Sequence, residues 1–288
     1  MKPAAFDYIA PRTLEGAVQA LADSDGEARC LAGGQSLVPL MNLRLAQPSM
    51  LVDLSKLTEL RAVRELDGSL AFGAMVTHRD LAESPLVADR LPLLAEAAGH
   101  IGHPAIRNRG TIGGSLAHAD PVAELPCVAL ALDAEIVAIG PDGVRTIAAS
   151  DFFQGPFTTS LAADEVLVEV RFPLPARGHG WAFLELARRR GDLAVVAVAA
   201  QLEVRNGDVS ARLGLAGVAD RPVRPLDVEV EVTGRPLDAD SFAAAASLLL
   251  SLDPPGDLHG SSQLRRRVAV ALTRRALERA AGRLNGPA

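Results

Sequence analysis

Along the first third of the chain, short apolar runs alternate with amphipathic ones. Leu14, Ala17, Val18 and Leu21 recur at helical spacing behind Thr13, whose hydroxyl can cap a helix start. Ala28 to Leu31 reads as a short buried strand, and Leu37 to Leu43 as a brief helix that tolerates Pro39 in its first turn. Leu51 to Leu54 and Ser69 to Ala74 have strand character, while Thr77 and the stretch Leu91 to Ala98 open two more helices. Asp120-Pro121 pairs an N-cap residue with proline at the first helical position, which predicts a helix running to about Leu132. Strands follow at Glu135 to Ile139, Val144 to Ile147 and Val166 to Phe172, with a helical turn near Asp151-Phe152-Phe153.

Pro173 to Gly180 is rich in proline and glycine and marks a domain boundary. Beyond it, Trp181 to Leu186, Leu193 to Val204 and Arg212 to Val218 suggest antiparallel strands, followed by helices over Ser241 to Leu252 and Ser261 to about Ala281. On the last helix Leu264, Val268, Ala271, Leu272 and Leu277 mark the inner face. The intervening Arg265, Arg266, Arg267, Arg274, Arg275 and Arg279 then read as a solvated one, with some available to a partner subunit. The order of elements is mixed, without the regular βαβ alternation of a doubly wound sheet, so the fold class is α+β.

Composition narrows the chemistry. The 288 residues suffice for two domains, and a net charge of −6 offers no basic surplus for nucleic acid. Cys30 and Cys127 cannot hold an iron–sulfur cluster or a four-thiolate zinc; they read as small buried hydrophobes of a reducing compartment. The His spacing holds no HExxH motif, so no metal ligands and no catalytic acid–base residue are expected. No apolar leader follows Met1, and Leu193 to Ala200, the longest apolar run, is too short to span a bilayer, so the expected location is cytoplasmic.

Two diglycine turns hold the candidate chemistry: Ala32-Gly33-Gly34-Gln35-Ser36 and Thr111-Ile112-Gly113-Gly114-Ser115. Glycine permits positive φ and close approach of a ligand, and successive N–H groups in such a turn can form a concave anion site. Two such turns suggest jaws on one extended anion, such as a dinucleotide pyrophosphate; the plain alternative is a pair of tight turns. Neither matches GxGxxG with its acidic partner or GxxxxGK[ST], which disfavours a Rossmann fold and a P-loop.

The segment Ala32-Gly33-Gly34-Gln35-Ser36-Leu37 resembles the first FAD-pyrophosphate loop of the flavoprotein (medium) subunits of molybdenum hydroxylases. Ile106 to Pro126, through Thr111-Ile112-Gly113-Gly114-Ser115 and Ala117-His118-Ala119-Asp120-Pro121, resembles their second loop. Arg188-Arg189-Arg190-Gly191-Asp192-Leu193-Ala194 resembles a looser third motif, in which relatives often carry an aromatic where Leu193 stands. The resemblance implies a PCMH-type FAD-binding domain over residues 1–176, in subdomains of about 1–55 and 56–176, and an α+β C-terminal flavoprotein domain over 177–288. It also implies two partners: a large subunit with molybdopterin cytosine dinucleotide and molybdenum, and a small one with two [2Fe–2S] clusters, assembled as a dimer of heterotrimers. FAD on this chain would then pass electrons from the clusters to an external acceptor.

On that resemblance the N–H groups at Gly33, Gly34, Gln35 and Ser36 cradle one phosphate, and Thr111, Gly113, Gly114 and Ser115 do the same from the other side. Asp120 and Glu124 are placed to accept from ribityl or ribose hydroxyls; their plain alternatives are a helix N-cap and a surface carboxylate. His118 is either a cofactor contact or a packed loop histidine, and Ile101 and Leu167 are either flavin-facing or ordinary core. Asp192 reads more simply as a turn residue. A stand-alone FAD-dependent oxidoreductase and a scaffold protein without FAD are the competing functions; intact glycines and hydroxyls in both loops argue against the latter.

Overall fold

The computed structural model describes residues 2–176, 178–205 and 208–284, with the Arg205 side chain left out. Arg177, within the proline- and glycine-rich segment read above as the boundary, lies outside the described residues.

Three larger sheets organise the chain, beside a two-stranded one that pairs Phe153–Gly155 with Thr158–Thr159. The first is parallel, with Asp7–Ile9, Met50–Asp53 and Ala28–Leu31 in that order across it. Thr13 caps the helix Leu14–Ala22 by accepting from the Gly16 N–H at 3.1 Å, and Ala17, Val18 and Leu21 are buried as the helical spacing requires. Leu31 pairs with Asp53, so the first diglycine turn leaves the carboxyl end of this sheet and enters the helix Leu37–Asn42. Ligands of open parallel sheets bind at that end.

The second sheet is antiparallel and five-stranded, in the order Val63–Leu66, Ser69–Gly73, Val166–Pro173, Glu135–Gly140, Gly143–Ala148. Its core centres on Phe72 and Phe172, whose rings meet edge to face at 5.9 Å, and on the helices Pro92–His100 and Glu124–Ala131.

The third sheet joins Gly180–Ala187, Ala194–Arg205 and Asp208–Ala216, all antiparallel. Side chains on its middle strand alternate between two cores. Ala197 and Ala199 pack with the large core of the preceding region, while Val196, Val198 and Ala200 pack with Phe242, Ala269 and Leu277 of the C-terminal helices. Burial on both faces is why this strand reads as a continuous apolar run. Contact with the helix Glu124–Ala131 is close: a Cβ on Gly214 would stand 2.2 Å from the Cys127 carbonyl oxygen.

Several elements differ from the sequence reading. The second diglycine segment is no turn: it opens a helix, Ile112–His118, and neither of its glycines has positive φ. Asp120 does not cap the following helix, which starts at Glu124 behind Ala123. Instead its carboxylate accepts from the Val122 N–H at 3.0 Å and its carbonyl from the Ala123 N–H at 3.1 Å, closing a tight turn. The last helix, Ser262–Leu284, buries Leu277 and packs Val268 and Leu272 against the core as its spacing predicts, but part of the expected face turns outward. Leu264 and Ala271 are exposed, whereas Arg265 is buried at 3% exposure. Its guanidinium donates to the Val195 and Gly217 carbonyls and pairs with Asp257 at 2.6 Å, which compensates the charge inside. Cys30 is half-buried and Cys127 fully buried; burial pushes both thiols up to about 12 and keeps them unreactive. Among the described residues no helix is long and apolar enough to cross a membrane, and no three His, Cys, Asp or Glu converge as metal ligands.

Candidate functional site

The two glycine segments meet backbone to backbone. A Cβ on Gly33 would lie 2.1 Å from the Arg109 carbonyl oxygen, and one on Gly114 would reach the Ala32 methyl at 3.5 Å. Glycine at 33 is therefore a requirement of contact between the segments, while Gly34 is needed for its φ of +72°.

Their hydrogen bonding differs sharply. In the first segment the N–H groups of Gly33, Gly34, Gln35 and Ser36 make no hydrogen bond within the described residues. Gln35 folds back to donate from its side-chain amide to the Gly33 carbonyl at 3.1 Å, and Ser36 leads into the helix with its hydroxyl uncommitted. Four successive open donors beside a left-handed glycine suit an anion. In the second segment the amides are occupied. Ile112 donates to Val76 O and Gly113 to Ala74 O, both at 3.0 Å, and Ser115 donates to Thr111 O at 3.0 Å. The Gly114 N–H donates to the Thr111 hydroxyl oxygen at 3.1 Å. The backbone cradle expected from Thr111, Gly113, Gly114 and Ser115 is thus corrected: the N-cap geometry of Thr111 takes the Gly114 and Ser115 donors, and the Ala74 carbonyl takes that of Gly113. What this segment offers is hydroxyl protons, on Thr111 and on half-buried Ser115.

His78 braces the second segment from behind. Its Nε2 lies 3.0 Å from the Thr111 carbonyl, its own N–H donates to Gly110 O at 2.9 Å, and Nδ1 is buried without a partner. Burial pushes the imidazole down to about 4, so it is neutral and donates from Nε2. Sequence reading missed this residue, because only tertiary contact sets a helix-opening His against a loop remote in sequence.

Residues 4–175 match the family described as the FAD binding domain in molybdopterin dehydrogenase, and residues 181–280 the CO dehydrogenase flavoprotein C-terminal domain. The chain belongs to the FAD-binding subunits of the molybdenum hydroxylases. It is 41% identical over 283 residues to the 6-hydroxypseudooxynicotine dehydrogenase complex subunit alpha of Paenarthrobacter nicotinovorans, covering 97% of this chain and 96% of that one. It is 40% identical over 282 residues to the carbon monoxide dehydrogenase medium chain of Hydrogenophaga pseudoflava, covering 97% and 98%. A solved carbon monoxide dehydrogenase from H. pseudoflava, lacking the Mo-pyranopterin moiety of its molybdenum cofactor, superposes with a TM-score of 0.95 at 41% identity over 98% of this chain and 99% of that chain. Quinoline 2-oxidoreductase from Pseudomonas putida 86 does so at 0.93 and 43%, over 99% and 100%.

As such a flavoprotein subunit, an oxidoreductase component with an FAD-binding domain, the chain presents its remaining candidates unevenly. Ile101 and Leu167 are both buried in the large core. Ile101 follows the helix Pro92–His100, and the carbonyls of Ile101 and Gly102 accept from Arg107 at 3.0 and 2.8 Å. His118 is half-buried and stacks on Phe157 at 5.0 Å, and burial lowers its pKa. Glu124 departs from the surface carboxylate that was its plain alternative: it is only 5% exposed, and burial pushes it up to about 7. The loop of the third motif lies against this region, since a Cβ on Gly191 would stand 2.9 Å from the Gly102 carbonyl oxygen. Asp192 closes a turn there, its N–H donating to Arg189 O at 3.1 Å, and the adjacent Leu193 is 63% exposed.

Proposed function

We propose that this chain is the FAD-carrying electron-transfer subunit of a heterotrimeric molybdopterin hydroxylase or dehydrogenase. A large subunit would hold molybdopterin cytosine dinucleotide with molybdenum and bind substrate; a small subunit would hold two [2Fe–2S] clusters. Electrons would pass from those clusters through this chain to an external acceptor, in a cytoplasmic dimer of heterotrimers. The observation that carries the reading is the row of open amides at Gly33–Ser36, set against the second glycine segment, in a chain matched over nearly its full length by flavoprotein subunits.

Within this reading the amides of Gly33, Gly34, Gln35 and Ser36 hold the diphosphate, with Ala32 and Leu37 shaping the two ends of the turn. Thr111 and Ser115 add hydroxyl donors, and Gly113 and Gly114 keep that side clear of side chains. Ile101 and Leu167 form an apolar wall, His118 and Asp120 border the cleft, and Glu124 accepts from a hydroxyl of the cofactor. FAD supplies the exchange between one- and two-electron steps; the protein's part is to bind it, orient it and tune its surroundings. The domain division at 1–176 and 177–288, with subdomains of about 1–55 and 56–176, belongs to the same reading and is supported by the separation of the three larger sheets.

The test is direct. Purified chain incubated with FAD and desalted should retain one FAD per chain, seen in the visible flavin absorbance. Adding the large and small subunits should then let the complex's substrate bleach that band. A folded chain that retains no FAD overturns the proposal.

A further inference from the structure

The arginines of this chain fall into two groups. Over most of the molecule they meet carboxylates: Arg145 meets Glu165, Arg171 meets Glu169, Arg224 meets Glu229 and Arg283 meets Glu96. Arg107, Arg109, Arg188, Arg189 and Arg190 make no ion pair among the described residues. All but Arg107 are exposed. The fold brings them together from two segments far apart in sequence. Arg188 to Leu193 is the loop that joins the strands Gly180–Ala187 and Ala194–Arg205. It is folded on itself by the Asp192 N–H, which donates to the Arg189 carbonyl at 3.1 Å. Gly191, with a φ of +86°, presses on the chain that follows the helix Pro92–His100. A Cβ there would stand 2.9 Å from the Gly102 carbonyl oxygen and 3.0 Å from His103 Cε1. The same Gly102 carbonyl accepts from Arg107 at 2.8 Å, so one oxygen joins the two segments. Two residues on, the Arg109 carbonyl abuts the first glycine turn at Gly33. A continuous strip thus runs from the third-motif loop, past His103, to the edge of the anion turn.

The strip is cationic in a chain whose net charge is −6, and Asp192 is the only carboxylate in residues 101–110 and 186–194. Apolar surface lies beside the charge, with Leu193 63% and Leu186 40% exposed. Exposed leucines beside unpaired guanidiniums have the composition of a protein-docking face, where arginine is enriched and lysine depleted. Guanidinium pairs bidentately with carboxylate, and a patch of one sign steers a partner of the other. Nucleic acid fits poorly, because the rest of the chain is acidic and repels phosphates along a duplex. An anionic bilayer fits poorly too, since entry into its interface takes a larger apolar face and the exposed Asp192 opposes its headgroups.

We propose that this strip is the docking surface for an acidic protein, which binds reversibly through Arg109, Arg188, Arg189 and Arg190 and covers Leu193. Arg107 has a different part: committed to the Ile101 and Gly102 carbonyls, it keeps the two segments in register. Held by so few contacts and drawn in by charge, the partner belongs to the small, salt-sensitive class of interfaces. In the functional reading above, on which this role alone rests, that protein is the external electron acceptor. The contact of Arg109 with Gly33 then places the docked partner beside the anion turn.

The experiment measures binding of a fluorescein-labelled decaglutamate peptide to the full chain by anisotropy, with FAD in excess so that the anion turn is filled. Affinity should fall about tenfold or more as NaCl rises from about 20 to about 200 mM, because salt screens exposed charges. R188E/R189E/R190E should weaken low-salt binding about tenfold or more, and R109E, on the other segment, about threefold. R275E reverses an exposed, unpaired arginine on the last helix and should leave affinity within about twofold. Equal affinity in wild type and the triple variant overturns the proposal, as does a loss in R275E that matches R109E. Tighter binding to phosphatidylglycerol vesicles, lost in the triple variant, overturns it in favour of a membrane. If the triple variant fails to fold, R109E against R275E decides. Chain that retains no FAD yet binds the peptide in this pattern defeats the functional reading and leaves the docking surface standing. Chain that retains FAD without such binding defeats this proposal alone.

Discussion

His78 shows how a single buried side chain can set the acid limit of this fold. Its folded-state pKa of about 4 lies below the value of roughly 6.5 expected when unfolded. Between those values the unfolded chain binds the proton and the native one does not, so stability is full above about pH 6.5 and lost as pH falls towards 4. Complete expression of that difference is worth about 3 kcal/mol. Denaturant unfolding at pH 7.5 and pH 5 should show a drop in wild type that His78→Gln largely abolishes; parallel drops in both would contradict the assignment. Gly33 is the other decisive residue. Gly33→Ala drives a methyl into the Arg109 carbonyl, a backbone atom that cannot step aside, and should cost about 2 kcal/mol or more and weaken FAD retention. Gly99→Ala, on a helix with open space around its Cβ, should be neutral or stabilising in the same melting assay. The glycines at 33 and 34 are legible as special in sequence; that one serves contact and the other conformation is not.

At the level of elements, local chemistry was readable wherever the signal was local. Thr13 and Thr77 both cap helices, the latter in a reciprocal capping box with Asp80, because a hydroxyl beside an apolar-periodic run has few other uses. Reading failed where two local solutions compete. Asp120-Pro121 satisfies the rules for a helix start, yet its carboxylate bonds two residues on and the helix waits for Glu124. Leu226–Val232, to which the sequence reading assigns no element, is a helix although its apolar positions alternate like a strand, and Glu229 on it is buried, held by Arg224 at 2.8 Å and by the Leu213 N–H at 2.7 Å. Arg265 belongs here as well. It fastens the last helix to the third sheet through two carbonyls and Asp257. Arg265→Ala should destabilise by about 3 kcal/mol by leaving those buried groups unpaired, whereas Arg275→Ala, on the exposed side, should change little. Comparable melting temperatures for the two variants would refute the assignment.

Across the whole molecule, the third sheet is a shared wall between two cores, and polar contacts at its margin join the regions. Glu96 receives both Arg279 and Arg283 of the last helix, and Arg283 also donates to the Trp181 carbonyl at 2.7 Å while stacking on that indole at 4.7 Å. Glu96→Ala leaves half-exposed arginines, so the expected cost is only about 1 kcal/mol. Hydrogen exchange should then rise first in Ser262–Leu284 while the five-stranded sheet stays protected; uniform loosening would argue against this joint. The sequence by itself determined the α+β class, the local helix caps and the two glycine segments. All of these follow from backbone sterics and short-range hydrogen bonding. Only the tertiary structure decided which glycine segment keeps its amides free, that Arg265 and Glu124 are inside, and that His100 and Glu185 meet. Those outcomes depend on desolvation and charge among residues far apart in the chain, which no local pattern encodes.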